Sequence, residues 1–319
     1  MNTKRKVRNS LLLVLATFIW GIAFVAQSKG GEETGPYSFN CIRSILGGIV
    51  LLPVICFVNQ MGLSEKKPVT SKEKRTLLMG GCLCGMALFV ASTLQQLGIY
   101  YGASVGKAGF LTACYIIIVP LLSMLYKEKC GWNVWGGVGI ALAGLYLLCI
   151  KDGFALQKTD ILLLLSAFCF SVQILLIDHF APKVDGVRLA CIEFFTCGVL
   201  GTIPMVFIEI KNAGEGLEQW LRSLSSWNAW GPILYAGVLS CGVAYTLQII
   251  GQTGLNPTIA SLIMSLESVF SVLAGWVLLG EKMALRELIG CGLIFGAILI
   301  AQIPGNILAT QLKIKRWMV

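Results

Sequence analysis

The stretch IASLIMSLESVFSVLAGWVLLGEK, Ile259 to Lys282, runs through apolar and small residues with a single acid, Glu267, near its middle. A helix needs about 20 apolar residues to cross a bilayer, so this run reads as a membrane span. Counted from Pro257 at ~1.5 Å per residue, Glu267 lies about 15 Å deep, close to the middle of a ~30 Å core. An ionisable group at that depth costs about 2.5–3.5 kcal/mol on insertion scales. Glu267 is therefore expected to face the interior of a helix bundle. Three roles stay open for it: binding a cationic group of a solute, carrying a coupling proton, or accepting a hydrogen bond between helices.

The rest of the chain has the same character. Of 319 residues, 56% are hydrophobic and only 13% are charged, whereas soluble domains are about a quarter charged. The net charge of +9 does not point to nucleic acid, because the Lys and Arg residues sit between apolar runs, where they set orientation. Twelve cysteines lie mostly inside those runs, and the close pair Cys82–Cys84 lacks C-x-x-C spacing, so they read as small apolar fillers. Nothing in the pattern points to a catalytic residue, a metal or a cofactor.

Ten runs are long enough to span. The first five cover Asn9–Gln27, Tyr37–Val58, Arg75–Ile99, Ser104–Tyr126 and Trp132–Ile150. The second five cover Asp160–Phe180, Val187–Glu209, Trp230–Thr253, Pro257–Leu279 and Leu285–Ile303. The opening MNTKRKVRNS and its apolar run are too long for a signal peptide and read as the first helix. With the N-terminus inside, 16 Lys and Arg fall on the inner side and 7 on the outer. That bias puts both termini in the cytoplasm of a cell membrane and the loop Ser28–Pro36 outside.

The chain also repeats itself. A constant shift of 153 lays the third to fifth spans on the eighth to tenth, so Gln95 meets Gln248 and Glu128-Lys129 meets Glu281-Lys282. A shift of 150 relates the first two spans to the sixth and seventh, setting Trp20 against Phe170 and Arg43 against Glu193. A shift of 146 would instead pair Gln27 with Gln173. The expected fold is thus an all-α integral membrane protein of ten transmembrane helices. Residues 9–150 and 160–303 form two five-helix repeats, and residues 304–319 form a cytoplasmic tail. Five is odd, so the second copy enters from the opposite face, an inverted repeat typical of secondary transporters. Glycines stripe the fifth and tenth spans, which are expected to pack together or to form the contact of a homodimer.

The stretches GASVGKAGFLTACYIIIVPLLSMLYKEK and PTIASLIMSLESVFSVLAGWVLLGEK resemble the fourth and ninth helices of EamA-type proteins of the drug/metabolite transporter superfamily. FIWGIAFV and NCIRSILGG resemble that family's first and second helices, and the similarity covers roughly Leu11 to Ile303. The resemblance implies ten helices in two inverted repeats and transport of amino acids, other metabolites or drugs, commonly outward. Family members often carry Pro after the ninth-helix glutamate; here Ser268 follows Glu267, which removes that cause of a kink.

Candidate site residues follow from depth and chemistry. Gln95 and Gln248, with Trp20, Thr112, Tyr115, Tyr245 and Trp276, are candidates to line a cavity with Glu267 for an amphipathic solute. Arg43, Lys107 and Glu193 are gating or structural charges. For Lys107, snorkelling, a solute carboxylate and a pair with Glu267 all stay open. Its GASVGKAG is one residue short of a phosphate loop and lacks the following Ser or Thr. His179, beside Asp178, reads as a solvated helix end. The partners expected are a small organic solute and membrane lipid. A channel-like facilitator and an integral membrane enzyme acting on lipid are the alternatives. The first lacks a visible polar stripe, and the second lacks a clustered catalytic set.

Overall fold

A computed structural model describes residues 3–61, 67–125, 131–149, 157–211, 216–279 and 284–302. The tail 304–319 and the pairs Glu128-Lys129 and Glu281-Lys282 lie outside these residues. All regular structure among the described residues is helical. Eight helical segments are long and apolar enough to cross a membrane; two more, Val134–Leu147 and Leu288–Ala301, are apolar but shorter. The protein is a multi-pass membrane protein.

The first helix, α1 (Thr3–Thr34), runs further than expected. Most of the stretch read as the loop Ser28–Pro36 is helical. No strong breaker precedes Gly35, where φ reaches +84°, and Gly30 and Gly31 fit closely against Phe39 and Gln96. Pro36 then starts α2 (Pro36–Gln60), its fixed φ suiting the first turn. The start of α3 (Ser71–Tyr100) is marked by a reciprocal capping box of Thr70 and Glu73.

The fourth span is broken at Cys114 into α4 (Val105–Ala113) and α5 (Tyr115–Leu125). The ninth is broken at Ser265 into α12 (Pro257–Met264) and α13 (Leu266–Leu279). No proline is needed at the second break. Ser261, Ser265 and Ser271 each turn a hydroxyl back onto the carbonyl three residues earlier, at 2.7–2.9 Å. Such bonds bend helices. Both spans start after a glycine of positive φ, Gly102 or Gly254, and are capped by Ser104 and Asn256. These caps are 152 residues apart, so the gap-free shift of 153 slips by one here.

The remaining helices are α6 (Trp132–Cys149), α7 (Lys158–Phe180), α8 (Gly186–Pro204), α9 (Gly216–Ser223), α10 (Trp227–Leu234), α11 (Tyr245–Gln252) and α14 (Leu285–Gln302). Wide π-type turns at Met205–Ile210 and Tyr235–Ala244 extend α8 and join α10 to α11.

Side-chain contacts give the helix directions. Along α2, Cys41, Ser44 and Gly48 meet Gly198, Cys197 and Cys191 of α8, so these two repeat mates run antiparallel. In α6 and α14, Gly137 faces Ala297 while Gly144 faces Gly290, again antiparallel. By contrast, α3 and α8 run parallel, with Gly81 against Ile192 and Gly85 against Thr196. The packing also exchanges between copies: α1 packs on α11 and α13, and its mate α7 packs on α3 and α4. Of the striping glycines, Gly137 and Gly144 bring the α6 and α14 backbones together, while Gly136, Gly139, Gly292 and Gly296 have open space where a Cβ would lie.

Candidate functional site

Where the two copies meet, one cavity is lined by Trp20, Gln95, Thr112, Tyr115, Tyr245, Gln248 and Glu267. These are seven of the eight residues expected to line it together, drawn from α1, α3, α4, α5, α11 and α13. Trp276 is not among them: it is 52% exposed. It lies nine residues beyond Glu267, and at ~100° per residue that is the opposite face of α13.

The cavity's polar groups are tied to each other. The Tyr115 hydroxyl donates to Glu267 Oε1 at 3.0 Å. Glu267 is 6% exposed. Gln95 Nε2 donates to Thr112 Oγ1 at 3.1 Å. Gln248 Nε2 donates to Gln173 Oε1 at 3.4 Å, and Gln173 Nε2 donates to Glu193 Oε1 at 2.8 Å. Two aromatic rings form part of the wall, Trp20 and Tyr245 meeting edge to face at 4.8 Å. The Trp20 indole N–H and the Gln27 and Gln248 carbonyl oxygens are buried and bonded to no other described group. Unmet buried donors and acceptors are costly, so a cavity that keeps them is suited to a ligand with polar groups of its own.

The expected charges separate. Arg43 lines the cavity, is 5% exposed, and donates from Nε and Nη2 to Asn40 Oδ1 at 3.1 and 2.8 Å. Its guanidinium also lies over the Phe39 ring, 5.4 Å from the centroid. Glu193 is fully buried behind Gln173, one residue away from the wall. Among the described residues neither makes an ion pair. Lys107 pairs not with Glu267 but with Asp160: its Nζ is 2.8 Å from Asp160 Oδ1 at the start of α7. Two turns of helix separate Lys107 from Tyr115 and hence from Glu267, which is out of reach, while α4 packs directly on α7. His179 ends α7 in contact with Lys183 (2.7 Å) and Phe180.

Residues outside the expected set complete the wall. Gln27, Gln173, Phe24, Phe170 and Ser240 line it as well. Some of these had a sequence signal. Trp20 and Phe170 are mates at the shift of 150, and Gln27 and Gln173 at the shift of 146. Ser240 had none, because its exposure to the cavity depends on the π-type turn that carries it.

Similarity to known proteins agrees with this architecture. An uncharacterized transporter of Archaeoglobus fulgidus is 26% identical over 94% of this chain and 87% of its own length. The uncharacterized transporter YdfC of Bacillus subtilis is 26% identical over 95% and 94%. A WAT1-related chloroplastic protein of Arabidopsis thaliana is 24% identical over 92% and 70%. A crystal structure of a protein at 19% sequence identity shares the fold, with a TM-score of 0.72 over 94% of this chain and 98% of that one. The model of the EamA-like transporter family matches twice, over residues 8–150 and 157–302. With both halves matched over nearly their whole length, the chain belongs to the EamA-like transporter family.

Proposed function

We propose that the protein is a secondary transporter that exports a small organic solute, an amino acid or a related metabolite or drug, across the cell membrane. The observation that carries this reading is the convergence of residues from both copies on one cavity that holds Glu267 and Arg43 together. Ten crossings in two inverted repeats fit the antiparallel mates and put that cavity at the repeat interface. Rocking of one repeat against the other would expose it to alternate sides. Both termini are then cytoplasmic, as the Lys and Arg bias requires. Trp20, Phe24, Phe170 and Tyr245 suit the apolar body of a solute, Glu267 its amine, and Gln95, Gln248 and Thr112 its neutral polar groups.

Counterflow in liposomes tests this, with a panel of amino acids, amines and aromatic drugs as solutes. Saturable exchange is expected for an amine-bearing member of the panel. Glu267→Gln keeps the shape and removes the charge. A charge-assisted hydrogen bond supplies about 1.5–3 kcal/mol, so the apparent affinity for the amine should fall at least about tenfold. A neutral analogue should be little changed. Flux that never saturates would favour a channel, and equal loss for both solutes would remove Glu267 from amine recognition.

A further inference from the structure

The short helix α9 lies between two apolar spans, Gly186–Ile210 and Trp227–Gln252, and buries none of its residues. Its apolar side chains, Leu217, Trp220 and Leu221, with Leu224 just beyond its end, recur at intervals of three and four. They form one stripe, with Glu218, Gln219, Arg222 and Ser223 opposite. Leu217 and Leu221 are 58% and 53% exposed. On the polar side Glu218 and Arg222 pair at 2.6 Å, in the open. The chain on either side is apolar at its surface too: Phe207 and Ile208 precede α9, and Trp227 follows it, all exposed. Leu224 packs on the cluster of Phe39, Ile233 and Ala236, so one edge of the stripe seats on the bundle, and the other edge, Leu217 and Leu221, is left exposed like Phe207, Ile208 and Trp227 beside it.

One bond joins this helix to the bundle's working parts. Trp220 Nε1 donates to Ser38 Oγ at 2.8 Å. The same hydroxyl donates to Glu209, whose carboxylate accepts the Tyr37 and Ser38 amide N–H groups at 2.7 Å each. That cluster caps the start of α2, which carries Arg43 to the cavity wall within two turns.

We propose that α9 is a membrane-surface helix whose Leu217–Leu221 edge beds among lipid headgroups and upper acyl chains, and that Trp220 ties this lipid contact to the cap of α2. An amphipathic helix with a narrow apolar stripe gains by placing that stripe at the headgroup boundary and its charged face in water. An indole suits the same boundary. The lipid around α9 thus acts on the N-terminal turn of a helix that lines the cavity.

The test uses the full chain in phosphatidylcholine nanodiscs with no solute, so it stands apart from the transport reading. A nitroxide is placed through a non-canonical residue at position 217, 218, 221 or 222, one at a time. Collision with oxygen, which partitions into lipid, is compared with collision with a water-soluble nickel chelate. Positions 217 and 221 should favour oxygen, and positions 218 and 222 the chelate. Equal access of the chelate to all four would overturn the proposal and leave the stripe for a protein partner. Trp220→Phe keeps the ring and removes the N–H donor. Hydrogen exchange at the Tyr37 and Ser38 amides should then quicken about fivefold, the factor that one net hydrogen bond supplies. Unchanged exchange would show that the lipid contact does not reach α2.

Discussion

The two ends of the α2–α8 interface occupy equivalent places in the repeat, yet they are fastened differently. At one end Glu209 of α8's extension reaches across to cap the start of α2. At the other, Arg188 near the start of α8 donates to Asn59 near the end of α2 at 2.8 Å. Residues 38 and 188 are mates at the shift of 150, and so are residues 59 and 209. The difference traces to a third mated pair, Gly35 and Asp185. Asp185 caps its own helix, accepting from Arg188 N at 3.0 Å. Gly35 has no side chain and stands at φ +84° and ψ 153°, a region open almost only to glycine. A Cβ there would also sit 2.6 Å from Glu209 Oε1. The acceptor for α2 must come from the other copy, and a carboxylate is favoured because the helix dipole makes that end positive. One end is thus capped locally and pinned by a neutral amide. The other depends on its partner repeat.

That contrast sets the order of three expected losses. Glu209→Ala should cost most, about 3 kcal/mol, because it strips two backbone N–H groups and the Ser38 hydroxyl of a charged acceptor. Denaturant titration in mixed micelles would measure it, and a loss below about 1 kcal/mol would mean that the cross-repeat cap contributes no more than a local one. Asp185→Ala removes a single cap and should cost about 1 kcal/mol in the same titration. A cost equal to that of Glu209→Ala would erase the distinction between the two ends. Asn59→Ala should be the mildest, at most about 1 kcal/mol, since the Arg188 guanidinium there is only partly buried and water replaces the amide. If it proved the most damaging of the three, the Asn59–Arg188 end of the interface would be the dominant fastening.

Much of the cavity's lining was legible in the amino-acid sequence. Gln95 and Gln248 are related by the repeat shift, lie deep in apolar runs, and carry groups that lipid cannot satisfy. The same reasoning brought in Glu267, Tyr115 and Thr112, which do meet at the cavity. It failed where depth alone was used without azimuth. Trp276 has the right residue type but the wrong side of its helix. It failed again for Lys107, because the partner Asp160 is some fifty residues away and belongs to the other copy. No periodicity within one span reveals a neighbour chosen by helix packing.

Taken alone, the amino-acid sequence determined that the chain is apolar enough to live in a bilayer, that it repeats itself, and that Glu267 sits in the interior rather than against lipid. These follow from composition, spacing and the cost of an unpaired charge in hydrocarbon, none of which depends on contacts between distant helices. Only the tertiary structure decided which side chains share the cavity, that Lys107 pairs with Asp160, that the ninth span breaks at Ser265 without a proline, and that Glu209 caps a helix of the other repeat. Each of these depends on the rotation and sliding of one helix against another. That registry is set by side chains packed across the interface and is invisible along a single strand of sequence.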